Sequence, residues 1–344
     1  MEESGHYYTV YFTSLAVGFA EDVAYQHAVL AQMPDEVGWL DASNVHQAQC
    51  RGIDEYDLRG VKRRIPAGWR FNIEFALHSL PGTDPDDNGR ERFSKNPAVQ
   101  FAATRNMLLR ENPISLEFGL LLHRLGDTFA HTVMGTEQKG QVPRLYTVSN
   151  VDGMSWPEIQ PMFMMSPVAT VALLELNPQH IGECVRIDSL GHLKNMHDPD
   201  YPYLRKPLYY DYLTQLYKLL LTKHDESGSV SYRRQNGFTV SEAEINAIFR
   251  NILDDPYGLV NYSMFRRQPA ETTIGYFIGK IREASRRHLG IEMKPYEPEK
   301  IEKQTLPEFL RDHKELKKLG ITPEKIERAI GHIYEGAVYE NQSK

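Results

Sequence analysis

A histidine, an aspartate and a second histidine recur at every fourth position inside one apolar helical segment of this sequence. They are His123, Asp127 and His131 in the stretch GLLLHRLGDTFAHT. Positions i, i+4 and i+8 drift by only about 80° around an α-helix, so the three side chains form one stripe on one helix face. Burying such polar groups is unfavourable unless something compensates them, and a divalent cation does so best. The stripe therefore predicts a metal site on a central helix; the alternative is a buried His-Asp-His hydrogen-bonded network.

Composition limits the kind of protein and the kind of metal site. The chain has 344 residues, of which 41% are hydrophobic and 25% charged, which is typical of a globular protein. Its net charge of -7 is spread along the chain without a long basic run, which argues against nucleic-acid binding. The only cysteines are Cys50 and Cys184, so four thiolates cannot form a zinc cage. Any metal must bind mainly to imidazoles and carboxylates.

The hydrophobic patterning predicts a mainly α fold, a multi-helix bundle with loop insertions. Helices are expected over residues 8–32, 96–111, 115–132, 166–176, 203–222, 241–253, 273–289, 306–319 and 323–334. Residues 33–70 are expected to form short strands or loops, 81–89 a surface loop, and 135–163 loops or a small hairpin.

Charge density rises sharply from Tyr296 onward. We therefore divide the chain into a helical domain that carries the predicted metal site, residues 1–295, and a charged helical C-terminal appendage, residues 296–344, which is a candidate surface for a protein partner. No window of 18 uncharged apolar residues occurs, and the N-terminus has no basic signal-peptide region. We expect a soluble protein that is cytoplasmic or exported without a Sec signal.

The stripe alone supplies too few ligands for two metals, so further ligands are expected elsewhere. The candidates are His6, Asp35, His78, His192, His197, Asp198 and Asp200. His27, on the first predicted helix, is interpreted instead as a packed core residue or as a partner of a metal ligand.

In the order of these residues the chain resembles the zinc-dependent phospholipase C and S1/P1 nuclease superfamily, and within it a bacterial branch with the pattern H-x3-D-x3-H. The resemblance spans residues 6–205 and is most specific in HRLGDTFAH. It implies a phospholipase C-like helical bundle that holds two or three Zn²⁺ ions. By this resemblance, one zinc would be bound by Asp35, His78, His123 and Asp127, a second by His131, His192 and Asp200, and a third by His6 with Asp127.

Three positions depart from the superfamily pattern. Pro34 adjoins the proposed ligand Asp35, which fits a helix end better than a helix interior. Secreted members begin with a tryptophan whose amino group binds the third zinc, whereas Met1 begins this sequence and no tryptophan is near. The last acidic ligand normally follows its histidine closely, but here Asn195 occupies the next helical turn. His197, Asp198 and Asp200 therefore compete for that place, and Asp200 is favoured.

The function that follows from these observations is cleavage of a phosphate ester, in a phospholipase C-like manner, by metal-activated water, with Asp35 doubling as a base. Tyrosines from residue 201 to 217 would provide either an apolar mouth for a phospholipid substrate or core packing. Two alternatives remain. The His197-Asp198 doublet suggests an HD-type phosphohydrolase, although Pro199 follows it directly. The other is a helical interaction protein whose metal is only structural.

Overall fold

The computed structural model describes residues 4–79, 97–130, 132–135, 144–147, 206–226, 239–257, 270–296 and 303–342. Most of these residues are helical, which confirms the predicted mainly α fold. The α-helices are α1 (Val10–Ala16), α2 (Glu21–Glu36), α3 (Ala42–Arg51), α4 (Ala67–Phe71), α5 (Pro97–Arg110), α6 (Leu116–Ala130), α7 (Lys206–Glu226), α8 (Glu242–Leu253), α9 (Ala270–Ala284), α10 (Leu306–Asp312) and α11 (Pro323–Gln342). Three π-helical segments, Ser4–Thr9, Asn72–Leu77 and Ser285–Leu289, and a 3-10 helix, Lys314–Leu319, complete the helical part.

Two short antiparallel hairpins are the strand pairs of the described chain. β1 (Asp54–Tyr56) pairs with β2 (Lys62–Arg64), so that Asp54 lies opposite Arg64. β3 (Thr132–Gly135) pairs with β4 (Arg144–Thr147), which places the expected small hairpin directly after α6. The helix predicted for residues 166–176 lies outside the described residues.

The prediction of one long helix over residues 8–32 is wrong, because the chain breaks at Gly18. Gly18 has a φ of +102°, which lies outside the helical region and which side chains with a Cβ rarely adopt. The break also exposes the carbonyl of Ala16 to a distant partner, the amide of Val240, at 2.8 Å. A local hydrophobic pattern cannot reveal that contact. The second helix also runs four residues beyond its expected end, so that Pro34 and Asp35 lie in the last turn of α2.

Residues 33–70 also contain a helix, α3, where only strands or loops were expected. The side chain of Asp41 accepts a hydrogen bond from the amide of Asn44 at 2.6 Å and so caps the N-terminus of α3. Gly52 ends the helix in the left-handed conformation, with a φ of +63°. Both cap residues can be recognised in the sequence. The residues between them are mostly polar, so the hydrophobic pattern did not indicate a helix.

The core is built around α2 and α6, which pack side by side, with α1 and α5 against them. α11 packs against α5 and the Asn72–Leu77 segment and buries Ile326, Ile330 and Ile333. The apolar face of α11 is thus covered inside the chain, and docking of a protein partner to the remaining surface stays a prediction, as does the domain boundary at residue 296. Among the described helices, none is both long and apolar enough to cross a bilayer.

His27 lies in this core, as the first of its two interpretations predicted. It is 1% exposed, its Nε2 donates to the carbonyl of Pro113 at 2.7 Å, and its Nδ1 accepts from the hydroxyl of Ser14 at 3.0 Å. Burial lowers the pKa of His27 to about 4. The folded chain therefore keeps this imidazole neutral at a pH where the unfolded chain protonates it.

This difference predicts a loss of stability in acid. A histidine with a lowered folded pKa is protonated first in the unfolded chain, so stability is complete above about pH 6.5 and falls as the pH drops toward about 4. Between about pH 7 and about pH 5, the unfolding free energy of the wild type should fall by about 2 kcal/mol more than that of His27→Gln. Urea unfolding at both pH values measures this, and equal losses in the two proteins would contradict it.

Candidate metal centre

Five predicted metal ligands meet beside the middle of α6. They are His6 in the π-helical segment Ser4–Thr9, Asp35 in the last turn of α2, His78 directly after the π-helical segment Asn72–Leu77, and His123 and Asp127 one turn apart on α6. Two of the contributing segments are π-helical, a form that is rare in proteins and that often marks functional sites. Side chains from four parts of the chain thus converge on one buried spot.

The carboxylate of Asp127 lies at the centre of this group. Its Oδ1 is 3.0 Å from Nε2 of His6, and its Oδ2 is 2.9 Å from Nδ1 of His78 and 3.0 Å from Nε2 of His123. The facing nitrogens of His78 and His123 are themselves 3.0 Å apart. One carboxylate therefore faces three imidazoles, with a different oxygen toward His6 than toward the other two.

Asp35 lies slightly farther from two of these imidazoles, those of His6 and His123. Its Oδ2 is 3.6 Å from Nε2 of His6, and its Oδ1 is 3.8 Å from Nε2 of His123. Two overlapping groups could hold a metal ion, with all the ligand atoms of each within 4.8 Å of one another: His6, His123 and Asp127, and Asp35, His78 and His123. The side chain of Asp35 is 20% exposed, whereas the three histidines and Asp127 are buried, so the group meets solvent at Asp35.

Backbone carbonyls set the tautomers of two histidines. Nε2 of His78 is 2.9 Å from the carbonyl of Leu40, and Nδ1 of His123 is 2.7 Å from the carbonyl of Ala31. A carbonyl only accepts, so these nitrogens carry the hydrogen, and in the neutral rings the nitrogens that face Asp127 carry lone pairs. Two lone pairs and a carboxylate oxygen at this distance repel one another unless a proton or a metal cation lies among them. Oriented imidazoles of this kind are typical of metal ligands.

The pKa shifts follow from burial and from the close packing of charges. Burial, followed by the neighbouring His123, lowers the pKa of His6 to about 3. Burial raises the pKa of Asp35, but His123 and His6 outweigh it and hold this pKa below its usual value. Burial lowers the pKa of His78, but the hydrogen bond to Asp127 and the negative charges of the nearby aspartates together outweigh it, so the net shift is upward. His6 and Asp35 are therefore held in the forms that bind metals, and a proton on His78 competes with a metal.

The tyrosines of α7 pack against the segment that carries His6. The hydroxyls of Tyr209 and Thr9 are 2.7 Å apart, and Tyr212 donates to the carbonyl of Gly5 at 3.3 Å. Tyr209, Tyr212 and Tyr217 are buried, so these three serve core packing, and the apolar-mouth interpretation is wrong for them. Tyr212 holds the backbone just before His6 and Tyr209 contacts the side chain of Thr9 after it, so these two tyrosines help to fix the imidazole beside Asp127.

Three proposed ligands, His131, His192 and Asp200, lie outside the described residues, as do their competitors His197 and Asp198, and these assignments stay predictions. The sequence also gave no sign of the carbonyls that orient His78 and His123, because backbone acceptors have no sequence signature. A further buried residue, Arg124, was overlooked. Its signal was a charged side chain directly after His123 in an apolar helix.

Comparison with known proteins gives a family but no activity. No curated protein and no solved structure matches the chain. A family model does match, over residues 1–252, and it is described as a family of unknown function, DUF6765. This match includes α1 to α7, all of α8 except its last residue, and all five converging side chains. The chain therefore belongs to the DUF6765 family of unknown function.

Proposed function

We propose that this protein is a zinc-dependent hydrolase that cleaves a phosphate ester, acting as a phospholipase C-like phosphodiesterase. One observation carries the proposal: three imidazoles and two carboxylates from four parts of the chain converge, with Asp127 within 3.0 Å of all three histidines. The resemblance in HRLGDTFAH to the zinc-dependent phospholipase C and S1/P1 nuclease superfamily supports the same reaction.

The choice of zinc rests on the donor atoms. Neutral imidazole nitrogens and carboxylate oxygens suit Zn²⁺, whereas Mg²⁺ and Ca²⁺ prefer oxygen ligands alone. Asp127 presents a separate oxygen to His6 and to the other two histidines, which suits a carboxylate that bridges two ions. His131, His192 and Asp200 are proposed to supply the remaining ligands.

Each residue of the group has a proposed role in catalysis. Bound zinc would lower the pKa of a coordinated water toward about 7 and bind the phosphoryl oxygens. Asp127 and the histidines fix the geometry of the site, since their orienting hydrogen bonds exist before substrate arrives. Asp35 is the most exposed of the five and is ionised, so it is the group placed to accept a proton from the attacking water.

A structural metal site in an interaction protein is the competing proposal. Burial of His6, His78, His123 and Asp127 favours it, because structural zinc sites are closed by protein ligands. The partial exposure of Asp35 favours the catalytic proposal, since a catalytic site needs a position open to water and substrate. The HD-type alternative depends on His197 and Asp198 and has no support from the described residues.

Metal content and turnover together test the proposal. The purified protein is analysed for bound metals and assayed with bis(p-nitrophenyl) phosphate, with p-nitrophenyl phosphate and with phosphatidylcholine vesicles, before and after chelation. We expect bound zinc, diester hydrolysis that the chelator abolishes, and recovery when Zn²⁺ is added back. The vesicle arm shows whether the diester is a phospholipid.

Two results would contradict this proposal. Bound zinc with no turnover of any of the three substrates would favour a structural metal, and undiminished turnover after complete metal removal would exclude a metal-dependent reaction. His332→Gln is the control variant, because it removes an exposed imidazole that pairs with Glu111 outside the five-residue group. It should keep both metal content and rate.

A further inference from the structure

Arg124 is a fully buried cation directly after His123 on α6. Its Nε donates to Oγ1 of Thr104 at 3.0 Å, and its Nη2 donates to Oε1 of Gln100 at 2.6 Å. Its Nη1 donates to the carbonyl of Phe75 at 2.6 Å and also to the carbonyl of Ala76. All four acceptors are uncharged oxygens, two from α5 and two from the π-helical segment Asn72–Leu77.

The two carbonyls belong to the turn that leads into His78. The amide of His78 closes the π-helical segment by donating to the carbonyl of Ile73 at 3.0 Å. Carbonyls in the last turn of a helix lack amide partners within the helix and need donors from elsewhere. Arg124 supplies those donors to Phe75 and Ala76, three and two residues before the metal-ligand candidate.

A second contact from α6 holds the chain on the other side of His78. Ser79 has a φ of +54°, a conformation that a residue other than glycine adopts only when its surroundings hold it there. Its hydroxyl lies 3.2 Å from the hydroxyl of Thr128, which is one turn after Arg124 on α6. His78 is thus fixed between two contacts from the helix that carries His123 and Asp127.

Burying a charged guanidinium in the core is unfavourable for the free energy of folding. Burial lowers the pKa of Arg124 to about 9, so the guanidinium remains charged at neutral pH. None of its four acceptors named above is a carboxylate. An apolar side chain of similar volume is often at least as favourable for stability as a buried charge. The planar fork of arginine, however, can reach several acceptors at fixed angles, which neither methionine nor lysine can do.

We propose that Arg124 is a positioning residue for the metal centre. Its fork fixes the carbonyls of Phe75 and Ala76 and thereby sets the place of Nδ1 of His78 relative to His123 and Asp127. This inference rests on the metal centre of the proposed function and concerns how one of its ligands is held. It predicts that the geometry of the guanidinium matters and that its positive charge alone does not suffice.

Metal binding by position-124 variants tests the proposal. Chelator-treated wild type, Arg124→Lys and Arg124→Met are titrated with Zn²⁺ alone against a chromophoric chelator, and the visible absorption of each Co²⁺-loaded protein is recorded. Both variants should bind Zn²⁺ about 10- to 100-fold more weakly, as is typical when a group that orients a metal ligand is lost. Their Co²⁺ absorption should change because the ligand field at His78 changes.

Two controls separate positioning from general destabilisation. Thr104→Val removes one partner of the guanidinium on α5 but leaves the bonds to Phe75 and Ala76, so Zn²⁺ affinity should stay within about 3-fold of the wild type. Phe249→Leu weakens the buried core on α8, away from the five-residue group, and should lower stability with unchanged affinity.

The outcomes are distinguishable. Wild-type affinity in Arg124→Met would overturn the role of Arg124 and leave the proposed function standing. Wild-type affinity in Arg124→Lys would overturn it too, because charge would then suffice, and this variant decides the matter if Arg124→Met does not fold. If the wild type bound no metal, the proposed metal centre would be contradicted, and with it the role of Arg124.

Discussion

Asp127→Asn is expected to abolish phosphate-ester hydrolysis and to weaken Zn²⁺ binding by at least about 100-fold. Loss of a residue that only orients a ligand costs about 10- to 100-fold in metal affinity, and Asp127 directly faces three imidazoles. Asparagine has the same shape but no charge, and one of its two terminal atoms is an NH₂ group that cannot bind a metal. Elemental analysis after equilibration with Zn²⁺, together with the diester rate, measures both effects.

Asp225→Asn is the matched control for this variant. Asp225 also lies beside a histidine, with its Oδ1 3.3 Å from Nδ1 of His224, but its side chain is 68% exposed and lies outside the five-residue group. The same substitution there should change neither metal content nor rate. If Asp127→Asn kept wild-type metal content while circular dichroism showed an intact fold, Asp127 would not be a ligand.

The central part of the candidate site was visible in the sequence because a buried helix admits few charges. A histidine and an aspartate one turn apart on the apolar α6 must share a compensating partner, and the structure places both in one buried cluster. His6, Asp35 and His78 were candidates by residue type, and only the resemblance assigned them to particular ions. Sequence spacing says nothing of the distances among segments so far apart in the chain.

Two features of the fold that the sequence pattern did not predict involve contacts between distant residues. The first predicted helix is broken at Gly18, and there the amide of Val240 donates a hydrogen bond to the carbonyl of Ala16. The π-helical segment before His78 accepts a hydrogen bond from Arg124. The hydrophobic pattern of residues 71–80 does not distinguish an α- from a π-helical register, so it could not reveal this segment. Such features are settled by tertiary packing, which overrides local preference.

Gly126→Ala should damage the candidate metal centre without removing any of the proposed ligands. Gly126 lies on α6 against the ring of His6: an added Cβ would be 2.7 Å from Cε1 and 2.9 Å from Nδ1 of that imidazole. The ring has little room to withdraw, because it also stacks on His123 with the ring centroids 4.0 Å apart. The methyl group must therefore displace His6 from Asp127 or push the Ser4–Thr9 segment away from α6.

The sign of the stability change tests this argument. In an open helix position, replacing glycine with alanine stabilises a protein by about 1 kcal/mol. Overpacking a filled core costs about 1–3 kcal/mol, so Gly126→Ala should be neutral to destabilised by about 2 kcal/mol. Because His6 is displaced, Zn²⁺ affinity should fall at least about 10-fold, measured by the same chelator competition.

Gly336→Ala provides the comparison, since its added Cβ would also meet a neighbour at 2.7 Å. That neighbour is Sδ of Met107, at the end of a flexible side chain that can turn aside. This variant should keep wild-type Zn²⁺ affinity and lose little stability. If Gly126→Ala instead proved more stable than the wild type with undiminished affinity, the imidazole of His6 would be free to move, and a ligand role for it would be excluded.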